Sequence, residues 1–173
     1  MMDRHDFSQA GAVGPELLGR LFDRHAAVLE LLGRQWCDCS EDVVQEALIE
    51  LAGQACAPGD PVAWLYRVVR NKAISASRST QRRRRHETEA AGQQPGWFEP
   101  SAGDAIDACV AAAALESLPV EQREVVVARI WGGLSFQQIG RLVGASDSAA
   151  HRRYEAALSA LRKKLRSPCR KNP

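Results

Sequence analysis

Leu134-Ser135-Phe136-Gln137-Gln138-Ile139-Gly140-Arg141-Leu142-Val143-Gly144-Ala145-Ser146, followed by a helical run rich in arginine, is the stretch on which the fold of this chain turns. The Ser135 hydroxyl can accept from the backbone N–H three residues on, and Gln138 stands where a capping-box side chain returns the bond. Phe136, Ile139, Leu142 and Val143 recur at helical spacing and give one apolar stripe. Gly144 suits the left-handed position that ends a helix. Ser146 is a second cap, with Asp147 placed to favour the positive end of the next helix dipole. In that next helix Ala150, Tyr154, Ala157, Leu158, Leu161 and Leu165 form the inward stripe. Ser148, His151, Arg152 and Glu155 fall away from it, with Arg153 on the flank. The layout is that of a helix-turn-helix, whose second helix enters the DNA major groove. An ordinary amphipathic pair with a solvated basic face shares the pattern.

The charge distribution says more than the net charge of +2 over 173 residues. Residues 1–60 hold eleven acids against four bases, whereas 61–86 hold eight Arg or Lys and no acid. Residues 87–127 return to eight acids and one Arg, and from Arg141 onward there are nine bases and two acids. Two basic blocks separated by an acidic stretch imply two polyanion-binding surfaces. The five cysteines (Cys37, Cys39, Cys56, Cys109, Cys169) are odd in number and lack the C-x-x-C spacing of a zinc site. With no recognisable secretory leader, reduced thiols and a cytoplasmic location are expected. A redox or metal role for Cys37-x-Cys39 is the minor alternative to isolated thiols. No apolar run approaches the roughly 20 residues a membrane span requires, so no membrane insertion is expected.

The pattern predicts an all-α chain of two small helical domains joined by a flexible linker. Residues 1–14 read as a loose tail, 15–86 as the first domain, 87–104 as the linker, 105–166 as the second domain and 167–173 as a C-terminal tail. A first helix from about Pro15 to Gly33 runs through Leu17, Leu18, Leu21, Phe22, Val28, Leu29 and Leu32. A second opens near Ser40 and continues to about Cys56, before the Pro58-Gly59 turn. A third takes Asp60 as cap and Pro61 at its first position and reaches Arg78 or beyond. Gly92, Pro95, Gly96, Pro100 and Gly103 mark the linker, within which Trp97-Phe98 could dock on a partner or fold back on a module. Helices resume near Asp104 and after Leu118-Pro119.

Two of these helices carry more than a core face. In the second, Val43, Val44, Ala47, Leu48, Leu51 and Ala52 make the core stripe. Asp42, Gln45, Glu46 and Ile49 lie together on another side at i, i+3, i+4 and i+7. An acidic and amide row broken by one isoleucine suits a protein partner; a plain solvated face with a stray Ile is the competing reading. In the third helix Leu65, Val68, Val69 and Ala73 point inward, while Trp64, Arg67, Asn71 and Arg78 lie nearer the opposite side. Rings beside cations supply the stacking platform and phosphate-tracking charge that single-stranded DNA demands, although a Trp at helical spacing also reads as core. Arg82-Arg83-Arg84-Arg85 extends the positive field.

Taken together these segments resemble the extracytoplasmic-function (ECF) sigma factors, the compact two-domain group of the sigma-70 family of bacterial transcription initiation factors. Ser40-Glu41-Asp42-Val43-Val44-Gln45-Glu46-Ala47-Leu48 is similar to the family's polymerase-clamp-binding helix, in which an Asp-x-x-Gln pair faces the core enzyme. Pro61-Val62-Ala63-Trp64-Leu65-Tyr66-Arg67-Val68-Val69-Arg70-Asn71-Lys72-Ala73 and the Arg cluster resemble the helix and loop that melt and read the minus-ten promoter element. Leu118-Pro119-x-x-Gln122-Arg123-Glu124-Val125, the helix-turn-helix and Ala157-Leu158-x-x-Leu161-Arg162 resemble the domain that reads the minus-thirty-five element. The likeness spans about residues 16–86 and 105–166. It departs from the family at Ala149, where Thr is common, at Gln138 in place of an acid, and at Ala156 in place of a base. The resemblance implies that loss of the Thr hydroxyl would remove a phosphate contact in the grip on the minus-thirty-five DNA.

The resemblance implies a sigma factor that binds core RNA polymerase, at the beta-prime clamp and the beta flap, and directs promoter recognition, melting and initiation. Its polymerase-binding residues would be Asp42, Gln45, Glu46 and Ile49. Its minus-ten residues would be Trp64, Arg67, Asn71, Lys72 and Arg78, and its minus-thirty-five residues Ser148, His151, Arg152 and Arg153. The family often has an anti-sigma partner, although no residue here demands one. Nothing points to an enzyme: there is no P-loop, nucleophile elbow or H-E-x-x-H, and no cofactor or metal site is expected. The rivals are a DNA-binding regulator that works without polymerase and an RNA-binding adaptor that uses the arginine-rich segments alone.

Overall fold

The computed structural model describes residues 13–86 and 105–166, with the side chains of 84–86, 105–109 and 166 left aside. The described residues form seven α-helices and no strand. They are α1 (Pro15–Gly33), α2 (Ser40–Ala52), α3 (Pro61–His86), α4 (Ala105–Glu116), α5 (Val120–Ile130), α6 (Phe136–Val143) and α7 (Asp147–Arg166). They fall into two compact units, Met1–Gln93 and Gln94–Pro173.

In the first unit α1, α2 and α3 pack mutually. Leu29 and Leu32 of α1, Val44, Ala47 and Leu51 of α2, and Leu65, Tyr66, Val69 and Ala73 of α3 are buried to 2 % or less. Each of the larger apolar chains contributes about 1.5–3 kcal/mol by leaving water. Asp60 caps α3 as its chemistry predicts: the Ala63 N–H donates to Asp60 Oδ1 at 3.0 Å. Gly33 ends α1 where the next helix comes close. A Cβ there would stand 3.1 Å from Ser40 Cβ, so a side chain would wedge α1 from the start of α2.

Several boundaries and faces differ from the expectation. Helix α2 stops at Ala52, with Gly53 as cap, rather than at Cys56, and Cys56 sits exposed in the loop that follows. Ala52, placed in the core stripe, is exposed, because Leu51 takes the inward position in the last turn of α2. Phe22 is 53 % exposed although it shares α1 with the core leucines: Leu21 takes the inward position and leaves its neighbour outside. Helix α3 runs on to His86, since no Gly or Pro interrupts it, and Arg82 and Arg83 are exposed residues of a helix rather than of a loop. Val13, assigned to the tail, is buried. The linker with Trp97-Phe98, residues 1–12 and the tail with Cys169 lie outside the described residues.

In the second unit α7 packs against α4, α5 and α6, and α5 against α6. Val125, Val126, Val127 and Ala128 of α5, Ile139 of α6, and Ala150 and Ala157 of α7 are fully buried. Leu165, placed in the α7 stripe, is 53 % exposed, near the end of the helix. Arg123 closes the end of α4: its guanidinium donates to the carbonyl of Glu116, the last residue of the helix, at 2.9 Å and to that of Leu118, in the turn beyond, at 3.1 Å.

Tyr66 and His25, which the stripe reading passed over, meet in the first core. Their rings stand edge to face with centroids 6.0 Å apart. Burial, with Arg24 nearby, lowers the His25 pKa below 6.5. The folded state therefore holds this imidazole neutral, while the unfolded chain takes up a proton as pH falls through about 6.5. Stability is full above that point and is lost as pH drops toward the folded pKa. The thermal midpoint of the first unit should fall between pH 7 and pH 5, and His25→Leu should flatten that slope in a melting series.

Candidate nucleic-acid interface

The helix-turn-helix is assembled by reciprocal capping. Ser135 N–H donates to Gln138 Oε1 at 2.7 Å and Gln138 N–H to Ser135 Oγ at 3.3 Å, so both members of the box are engaged. Gly144 takes the left-handed conformation, with φ 67° and ψ 38°, and ends α6. Ser146 then caps α7 by accepting from the Ala149 N–H at 3.2 Å, and Asp147 Oδ1 accepts from the Ser148 N–H at 2.8 Å. Gly140 completes the turn. A Cβ on it would lie 2.7 Å from the Ala145 carbonyl oxygen and 3.1 Å from the Asp147 nitrogen, so only glycine lets the two helices approach this closely.

Phe136 sets the orientation of α7. Its ring meets His151 edge to face at 4.8 Å between centroids and Tyr154 at 5.5 Å, and the Arg129 guanidinium lies 4.8 Å from its centroid. Arg129 also donates to the Leu134 carbonyl at 2.7 Å, fixing the loop between α5 and α6. Ser148, His151 and Arg152 are exposed and, with Phe136 and Asp147, line an open cleft; Arg153 is half-buried on the flank. Arg129 and Phe136 escaped the sequence reading as supports of this surface, because their contacts cross between helices and leave no periodic signal.

On the first unit Arg67, Asn71 and Arg78 of α3 are exposed and Trp64 is half-buried, while Trp36, in the turn after α1, has the Arg70 guanidinium 5.7 Å from its ring centroid. On α2 Asp42, Gln45, Glu46 and Ile49 all face solvent, Ile49 at 71 % exposure. The structure joins these two faces. Lys72 Nζ lies 3.2 Å from Glu46 Oε2 and 3.4 Å from Glu50 Oε2, and its pKa is raised by those carboxylates, Glu46 first. Asp42, Glu46, Asn71 and Lys72 line a single groove with Cys39, Val43, Ser75 and Ala76. Lys72 is thus an arm between α2 and α3 as well as a cation beside the expected strand path. Among the described residues no group of three His, Cys, Asp or Glu could hold a metal ion, and no helix is long and apolar enough to cross a membrane.

Residues 21–83 match Sigma-70 region 2, and residues 111–161 match Sigma-70, region 4. Over 168 residues the chain is 34% identical to the ECF RNA polymerase sigma factor SigL of Mycobacterium tuberculosis, covering 90% of this chain and 92% of that protein. The chain belongs to the ECF sigma factors of the sigma-70 family. It is therefore an RNA polymerase sigma factor of ECF type. Its fold is also that of two solved structures. The sigma factor RpoE in complex with the anti-sigma factor NepR, from Bartonella quintana, matches with a TM-score of 0.69 at 19% identity, over 90% of this chain and 99% of that one. CnrH in complex with the cytosolic domain of CnrY matches with a TM-score of 0.58 at 23% identity, over 92% and 94%.

One departure of this sigma factor from its family's pattern is structurally silent: Gln138, in place of an acid, makes both bonds of the capping box. Gly140→Ala should destabilise the second unit by about 1–3 kcal/mol, because the obstructing atoms are backbone. Gly19→Ala, with nothing within 4 Å of the added methyl, should stabilise the first unit by about 0.5–1 kcal/mol. Chemical denaturation followed by circular dichroism reads both.

Proposed function

We propose that the exposed row of α2 docks on the clamp of core polymerase through Asp42, Gln45, Glu46 and Ile49, while α3 and α7 engage the two ends of a promoter. The observation that carries this reading is Ile49: a large aliphatic chain left 71 % exposed within an acidic and amide row offers a protein partner an apolar contact framed by polar groups. Trp64, Arg67, Asn71, Lys72 and Arg78 are assigned to the opened minus-ten strand. An extruded base there costs a few kcal/mol of unstacking, offset by stacking and hydrogen bonding to the protein. Ser148, His151, Arg152 and Arg153 are assigned to the minus-thirty-five duplex, where base edges carry specificity and phosphates carry position.

The work is binding, with no covalent step assigned to the chain, and it is placed in the cytoplasm beside polymerase. We take residues 15–86 and 105–166 as the two domains and 87–104 as the tether between them. Each unit alone binds DNA weakly in this scheme, and co-tethering on polymerase supplies the rest through effective concentration. An anti-sigma counterpart is part of the proposal, supported by the NepR complex of the similar RpoE fold.

Retention on core polymerase tests the reading. Asp42→Ala with Gln45→Ala should weaken retention by about ten-fold or more while leaving helicity intact. Wild-type retention by the double variant would overturn the assignment. On a promoter library with core enzyme, Arg152→Ala should cost about 1–3 kcal/mol of promoter affinity if it reads a base, with relaxed preference at one minus-thirty-five position. A uniform loss across sequences, with a shallower salt dependence, would instead mark it as a phosphate contact.

A further inference from the structure

Cys37 and Cys39 flank Asp38 in the turn between α1 and α2, and neither thiol has been given a role in the docking or DNA surfaces described above. They differ in exposure: Cys37 is buried and Cys39 is open to solvent, where it lines the groove shared with Asp42, Glu46, Asn71 and Lys72. The side chain and backbone of Cys39 both act on the Cys37 thiol, so the two groups are neighbours in space. Residues two apart lie at most about 7 Å apart between Cα atoms, and disulfides accept about 4.4–6.8 Å. The chain bends at Asp38, between the two cysteines, which keeps the span short of full extension.

We propose that Cys37 and Cys39 are a redox-responsive dithiol pair that a hydroperoxide converts to an intramolecular disulfide, and that this closure distorts the first turn of α2. The exposed Cys39 thiolate attacks one peroxide oxygen; the O–O bond breaks, hydroxide leaves, and Cys39 becomes a sulfenic acid. Cys37 Sγ then attacks Cys39 Sγ, the S–O bond breaks, and the sulfenic oxygen departs as water with the Cys37 proton. In sum two thiols lose two electrons and two protons, and one hydrogen peroxide becomes two waters. Exposure makes Cys39 the point of attack, while burial, reinforced by Cys39, pushes the Cys37 thiol up to about 12, so its attack is slow unless its proton passes to the departing sulfenic oxygen.

The location gives the bond its consequence. Cys39 is the residue before α2; its side chain makes no cap bond, while its carbonyl accepts the first helical bond, from the Val43 N–H at 3.1 Å. Ser40 beside it is buried against Gly33, so the chain has no slack toward α1. Torsions imposed by the closed ring pass into the turn that carries Asp42. The effect on transcription rests on the proposed docking of α2 to polymerase; the chemistry of the pair does not.

The full chain carrying Cys56→Ser is the test protein, since Cys56 is exposed and shares the tryptic peptide Gln35–Arg67 with the pair. After treatment with hydrogen peroxide, that peptide should lack two hydrogens and resist iodoacetamide until dithiothreitol is added. Amides in the first turn of α2 should exchange with solvent faster in the oxidised chain than in the reduced chain. Adding Cys39→Ser should abolish both changes, with helicity preserved. A sulfinic acid at Cys39 with Cys37 still open to alkylation, or a disulfide to another chain, overturns the pair. A mapped disulfide without faster exchange overturns its effect on α2. On core polymerase, oxidation should lower retention by about five-fold, reversibly and only with both thiols present. If the reduced chain itself is not retained, the docking reading fails, and the peptide and exchange results still judge the disulfide.

Discussion

Burial of Leu65, Tyr66, Val69 and Ala73 along one stripe of α3 is the constraint from which the rest of the first unit follows. With that stripe committed to α1 and α2, the remaining positions of the helix are released from the core and can carry charge. Arg67, Arg78, Arg82 and Arg83 occupy them, all exposed. A helix of 26 residues with so many cations and no acid repels itself, and isolated it would be marginal. Packing of the apolar stripe holds it helical, and the unrelieved positive face is then available to a polyanion. The fold and the binding surface are two sides of the same helix.

The second unit solves the same problem with polar geometry as well as burial. Helix α6 has only eight residues, too few to be stable by propensity, and it is fastened at both ends. The Ser135–Gln138 box satisfies its first orphan donors, Gly144 turns the chain left-handed at its end, and Gly140 lets α7 cross it at backbone contact. Phe136 then makes its ring contacts with Arg129, His151 and Tyr154. His151 is consequently not a free side chain waiting for DNA. One edge of it is already committed to Phe136, which lowers the entropy lost when the remaining surface of α7 docks.

The elements most legible in the sequence were those with local causes. Caps at Asp60, Ser135 and Ser146, the left-handed Gly144 and the proline-started α1 and α3 were all readable, because each rests on bonds or torsions within a few residues. What escaped depends on the third dimension. Phe22 and Leu165 fit a helical stripe but face solvent, since periodicity gives a face and not the extent of the surface that covers it. Tyr66 and His25 hid because aromatic and imidazole rings read as surface or binding groups until their partner is seen. The bridge from Lys72 to Glu46 and Glu50 could not be inferred, as it joins residues 26 and 22 positions apart whose helices had to be docked first.

That bridge changes how the first unit's two surfaces relate. Glu46 belongs to the row assigned to polymerase and Lys72 to the row assigned to DNA, yet each is the other's partner at 3.2 Å. Their side chains retain 63% and 32% of their exposure, so the pair contributes little to stability, about 0–1 kcal/mol at most. Its weakness is what allows it to be exchanged. A polymerase group that takes Glu46 leaves Lys72 with Glu50 alone, and the ammonium becomes easier for a phosphate to recruit. By reciprocity, a strand that recruits Lys72 frees Glu46 for polymerase by the same factor. Under the proposed assignments, a surface ion pair of negligible structural value couples the two faces of one groove, with a coupling no larger than the pair itself.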